Sequence, residues 1–160
     1  MIQKALVARA FILKTADTLS WIPLTVSRLT IGWVFVQSGW GKLHNLPKVI
    51  EYFASLGIPA PQLQAPFVAG VELVGGLLIL AGLFTRVAAI PLAATMVVAL
   101  LTAKRPDISN ASDLFGTVEF LYLLGLGFLA ALGPGVLSLD AILVRRLGWS
   151  DKPVSPVVTR

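Results

Sequence analysis

The chain has 160 residues, the length of one domain, and is 56% hydrophobic with only 13% charged residues. A soluble domain carries about 25% charged residues, and a water-soluble fold of this size could not hide so much apolar surface at a mean hydropathy of +0.84. With no cysteine, disulfides, iron–sulfur ligation, thiolate catalysis and cysteine zinc sites are excluded, and the single histidine, His44, excludes a bis-histidine haem held by this chain alone. The pI of 10.0 comes from 13 Lys and Arg against 8 Asp and Glu. These basic residues flank apolar runs and form no patch with interleaved polar or aromatic readers, so they point to membrane topology and not to nucleic acid.

Residues 1–21 do not form a secretory signal, because Lys4, Arg9 and Lys14 interrupt the apolar run. They are expected to form a basic amphipathic helix on the membrane surface. Crossing a bilayer takes roughly 20 apolar residues, with about 17–25 acceptable. Four segments within residues 22–136 meet this: 23–41, 67–84, 87–103 and 114–132. The first carries Arg28 and Gln37 and starts at Pro23, well placed for a first helical position. Between the first two spans, Val49, Ile50, Phe53 and Leu56 recur at helical spacing and predict a short surface helix that stops at Gly57. Thr85 and Arg86 join the second and third spans as a tight antiparallel hairpin. Gly133-Pro134-Gly135 ends the fourth, and residues 137–160 are expected to form a tail with one more amphipathic turn or two over 139–147. Trp21, Trp33, Trp40 and Trp149 suit interfacial or packing positions.

The expected fold is an all-α membrane protein, a four-transmembrane-helix bundle with an amphipathic N-terminal helix and a short outward-facing surface helix. Four spans place both termini on one side. Nine basic residues fall on that side (Lys4, Arg9, Lys14, Arg28, Arg86, Arg145, Arg146, Lys152, Arg160) and four on the other (Lys42, Lys48, Lys104, Arg105). The positive-inside rule then puts the termini in the cytoplasm.

Two carboxylates interrupt the apolar runs, Glu72 and Glu119. A charge near the centre of a span costs about 2.5–3.5 kcal/mol and normally faces a partner or a watery cavity. At about 1.5 Å per residue, both lie roughly 7–8 Å inside the outward end of their spans. Gln37 lies at a similar level, and Lys42 and His44 stand at the rim. On helical faces, Glu72 is grouped with Gly75 and Gly76, and Glu119 with Tyr122. Arg28, near the other end, shares a face with Gly32, Gly39 and Lys42. It is too far from Glu72 to pair with it and is expected to snorkel to the headgroups. Glu72, Glu119, Lys42, Gln37, Tyr122 and His44 are therefore the candidates for ligand binding or proton handling. Two readings stay open for Glu72 with Lys42: a structural ion pair that fixes helix register, or a functional site. Gly32, Gly39, Gly75 and Gly76 are read as helix-packing positions, since small residues let backbones approach closely. His44 with Glu51 is too small a set for a metal, and none is expected.

The run Arg28-x3-Gly32-x6-Gly39-x2-Lys42-Leu43 resembles the opening helix of the DoxX family of bacterial membrane proteins. Phe53-x3-Gly57-Ile58-Pro59 resembles its first loop, and Glu72-x2-Gly75-Gly76-x5-Gly82-Leu83-x-Thr85-Arg86 its second helix and tight turn. Gly133-Pro134-Gly135-x2-Ser138-Leu139-Asp140 resembles its C-terminal signature. Glu119 lies outside these motifs. The resemblance implies a four-helix inner-membrane protein in a family linked to quinone-reducing sulfur metabolism and to membrane oxidoreductase complexes. An accessory subunit contacting quinone is the first functional expectation, with no covalently bound cofactor. Its partners would be the bilayer and a membrane oxidoreductase or further copies of the chain. The alternatives are a small-molecule or ion transporter, for which the inner half supplies few polar residues, and an assembly partner without a ligand of its own.

Overall fold

The computed structural model describes residue 19 and residues 21–147. The surface helix expected over residues 1–21, and the chain beyond residue 147 with Trp149, lie outside the described residues. Every regular element described is helical: α1 Trp21–His44, α2 Leu46–Ser55, α3 Pro61–Ala81, α4 Thr85–Leu101, a 3-10 turn Arg105–Asp107, α5 Ala111–Gly116, α6 Val118–Leu132 and α7 Leu139–Leu147. Among them, α3 alone is both long and apolar enough to cross a bilayer by itself. α4 and α6 are apolar but have 17 and 15 residues, about 25 and 22 Å against a hydrocarbon core of about 30 Å. α1 has 24 residues but includes Arg28, Gln37, Ser38 and Lys42.

The boundaries differ from the sequence expectation in three places. α3 begins at Pro61, six residues before the expected start. Proline suits a helix's first turn, where its missing N–H has no intrahelical partner to lose, and Pro66 one turn on is absorbed inside the helix. The α3–α4 turn is Gly82-Leu83-Phe84 and not Thr85-Arg86. Gly82, at φ 71°, closes α3 with its N–H on the Ile79 carbonyl, and the Leu83 N–H bonds to Leu78. The run over residues 114–132 is not one helix. Asn110 and Asp113 form a capping box on α5, Thr117 then turns extended at ψ 142°, and its side chain accepts the Phe120 N–H to start α6 afresh.

The helices pack as two pairs. α1 lies closest on α3, and α4 on α6, with lighter contact between α3 and α4. Glycines set the first pairing. A Cβ on Gly32 would lie 2.7 Å from the Leu80 nitrogen, and one on Gly76 2.7 Å from the Val36 nitrogen, so only glycine fits at either place. Gly39 sits equally tightly against Leu73 and Ala69, while Gly75 faces the Leu92 side chain. Phe35, Ile79, Leu92, Leu126 and Leu129 form the shared core.

Polarity is reversed relative to a soluble bundle. Arg28 and Glu72 are 4% and 1% exposed, whereas Ile90 and Phe128 stand 66% and 63% exposed. Exposed apolar side chains cover α1, α3, α4 and α6 alike. A surface of this kind needs an apolar surrounding.

The end of the bundle bearing the α3–α4 turn is tied shut by the segment after α6. The Asp140 N–H donates to the Gly82 carbonyl at 3.0 Å. The Phe84 N–H donates to Asp140 Oδ1 at 3.2 Å, which supports a non-glycine residue held left-handed at φ 48°. Ser138 caps α7 by accepting the Ala141 N–H. Arg28 closes the arrangement. It does not snorkel outward as expected; its guanidinium lies against Gly82, and Nη2 donates to the Leu137 carbonyl at 2.6 Å. The space that Gly82 leaves without a side chain is what admits it.

Candidate functional site

At the opposite end, under α2, Ser38 and Lys42 stand one turn apart on α1 and face Glu72 on α3. Lys42 Nζ lies 2.5 Å from each carboxylate oxygen, and Ser38 Oγ donates to Oε2 at 2.8 Å. Gly39 lies between these two donors in sequence and lets the α3 backbone come close enough for a short serine to reach. The packing glycine and the ion pair are thus one device. The Lys42 side chain keeps 27% of its surface exposed, against 2% for Glu72, so the cation reaches in from an open space while the anion is enclosed.

That open space is a cavity of about 850 Å³ between the α1/α3 and α4/α6 pairs, with α2 along its edge. Its size falls in the range of small-molecule sites. Most of its wall is apolar; Ser38, Lys42, Glu72, Thr95, Glu119 and Tyr122 supply polar groups, and Lys48, Tyr52 and Lys104 come from its rim. It is not sealed: Phe67 on α3 and Tyr52 on α2 line it while 70% and 51% exposed.

Glu119 occupies the first turn of α6, just behind the Thr117 cap. It is half-buried and makes no hydrogen bond or ion pair among the described residues. The Tyr122 ring, one turn on, tilts against Phe35 at 5.9 Å between centroids. Glu72, Glu119, Lys42 and Tyr122 therefore border one space. Gln37 and His44 do not. Gln37 points outward from the opposite side of α1, and the His44 ring lies tilted against Trp40 at 4.2 Å with Nδ1 2.9 Å from the Trp40 carbonyl. No group of three potential metal-ligating side chains occurs among the described residues. The sequence reading missed Ser38, Lys48, Tyr52 and Thr95 as lining residues. Spacing carried a signal for each: Ser38 and Lys42 are four apart, as are Lys48 and Tyr52, and Thr95 lies on one α4 face with Pro91, Val98 and Thr102.

Described residues that are helical throughout their regular elements, with ionic groups inside and apolar side chains outside, make a helical membrane protein. The DoxX family model matches residues 24–105, and the chain belongs to the DoxX family. It is 32% identical over 120 residues to a Bacillus subtilis protein named "Putative oxidoreductase CatD", covering 74% of this chain and 84% of that one. It is 36% identical over 130 residues to an uncharacterized membrane protein of Mycobacterium tuberculosis, covering 74% and 80%. It is 31% identical over 130 residues to the inner membrane protein YqjF of Escherichia coli, covering 78% and 95%. No solved structure matches the chain. The matched region contains Arg28, Lys42 and Glu72 and ends before Glu119 and Tyr122.

Proposed function

We propose that this is a multi-pass protein of the bacterial inner membrane that holds a lipid-soluble, quinone-type molecule in the cavity, as an accessory subunit of a membrane oxidoreductase system. In this reading α1, α3, α4 and α6 are the four spans. Both termini are cytoplasmic, following the nine-to-four division of basic residues, and α2 lies on the outward surface. The shortness of α4 and α6 is accommodated by α5 and the connecting turns at the outward rim.

One observation carries the reading: an apolar cavity, open at its side among lipid-facing helices, has a Lys42–Glu72–Ser38 cluster in its wall with the carboxylate enclosed. A molecule diffusing in the bilayer can enter without crossing water, and its polar head finds the Lys42 ammonium as a donor. The names of two relatives, an oxidoreductase and an inner membrane protein, agree with this assignment. A through-channel is disfavoured by the Arg28–Leu137 and Asp140–Gly82 contacts closing the other end.

The test is thermal unfolding of the detergent-purified chain with a short-chain ubiquinone analogue. Binding at 100 times Kd stabilises by about 2.7 kcal/mol, worth roughly 5–10 °C in a chain of this size. The shift should shrink in Glu72→Gln and vanish in Ala99→Phe, which fills the cavity. No shift with any quinone in the wild type would sink the reading.

A further inference from the structure

We infer that Glu119 selects the ligand, and that the cavity takes a lipophile bearing a hydroxyl, a phenol or quinol, in preference to its carbonyl or ether counterpart. The inference rests on the cavity being a ligand site, as proposed above, and adds what the ligand must carry.

The two carboxylates of the cavity are in opposite conditions. Glu72 is satisfied, with Lys42 on both oxygens and Ser38 on one. Glu119 borders the same cavity and accepts nothing among the described residues. It stands in the first turn of α6, at the positive end of the helix dipole. An ionised carboxylate is an acceptor only. Left half-buried beside apolar walls, it lacks the donor that would offset its lost hydration.

A ligand hydroxyl supplies that donor. Its oxygen can in turn accept from the Tyr122 hydroxyl, one turn further along the same wall. A quinone carbonyl or an ether offers only lone pairs, so at Glu119 it would set oxygen against oxygen. An anionic head group would be repelled there outright. The cavity thus has two unlike poles: Lys42, a donor already neutralised by Glu72, and Glu119, an acceptor with nothing to accept. A ring with an oxygen acceptor at one end and a hydroxyl at the other satisfies both.

The experiment compares 4-hexylphenol with 4-hexylanisole, which differ by one O–H, in titrations of the full-length detergent-purified chain followed by calorimetry. A hydrogen bond to a charged group predicts roughly tenfold or more tighter binding of the phenol by the wild type. In Glu119→Met the two probes should bind within about twofold of each other, and Glu119→Gln, which keeps a neutral acceptor, should fall between. Unchanged helix content by circular dichroism confirms that the variants are folded. Equal binding of phenol and anisole by the wild type overturns the inference while leaving a cavity that binds lipophiles. A phenol preference that survives Glu119→Met removes Glu119 from the role. Failure of both probes, together with failure of the quinone analogue, overturns this inference and the proposed function alike.

Discussion

Removing Lys42 should hurt the fold more than removing its partner. Glu72 is enclosed and Lys42 is partly open, so the two halves of the pair have unequal escape routes. In Lys42→Met the carboxylate stays in place with Ser38 as its one remaining donor. Stripping one partner from a buried pair costs about 3–5 kcal/mol, and the surviving serine bond holds the loss to about 3 kcal/mol. In Glu72→Gln the amide keeps the Ser38 contact, and the released ammonium swings into the open cavity, so the loss is about 1 kcal/mol. The double variant should lie close to Glu72→Gln alone, giving a coupling of about 3 kcal/mol. At about 2–4 °C per kcal/mol for a chain of this size, thermal unfolding in detergent should show Lys42→Met falling by about 6–12 °C and Glu72→Gln by about 2–4 °C. Equal losses, or a larger loss in Glu72→Gln, would refute the idea that asymmetric burial governs this pair.

The remaining predictions concern the helix contacts and the closed end. Gly76→Ala presses a methyl onto the Val36 and Gly32 backbones and should cost about 1–3 kcal/mol, read as a lower melting temperature. Gly70→Ala, on the same helix with nothing within 4 Å, should be neutral or gain up to about 1 kcal/mol. Asp140→Ala deprives the Phe84 N–H of its acceptor, so amide hydrogen exchange should quicken at Phe84 and along α7 while the cavity end is unchanged. Thr117→Ala removes the cap on α6 at about 1 kcal/mol, and should lower the melting temperature by roughly 2–4 °C.

Composition and periodicity were enough to read the helical class, the face of α1 that turns inward and the close α3–α4 hairpin, because these depend on apolar spacing and on glycine. Helix ends were less legible. Pro61 and Pro66 look like breakers in isolation, yet the first turn accommodates Pro61 and the helix carries Pro66 inside it, and Thr117 is a cap whose effect outweighs an unbroken apolar run. Arg28 was misread for a different reason. Its depth suggested the headgroups, but its destination depends on a pocket made by Gly82 and Leu137, 54 and 109 residues away in sequence. Gln37 and His44 share the height of the site along the axis. Height is only half of a helical position, and their angle turns them away.

Arg28, Gly82 and Asp140 fasten one end of the bundle, and under the proposed function that gives it the mechanics of a clothes-peg. Its jaws are the α1/α3 and α4/α6 pairs, its spring is the fastening at the α3–α4 turn, and its free tips are where the cavity lies. Widening the gap for a bulky guest therefore needs rotation about the fastened end and no rearrangement of the glycine-packed α1–α3 seam. Under the proposed function, a peg of this build exchanges its contents with one leaflet only, whichever way the chain is inserted. Loosening the spring should change how quickly a guest comes and goes before it changes how tightly the guest is held.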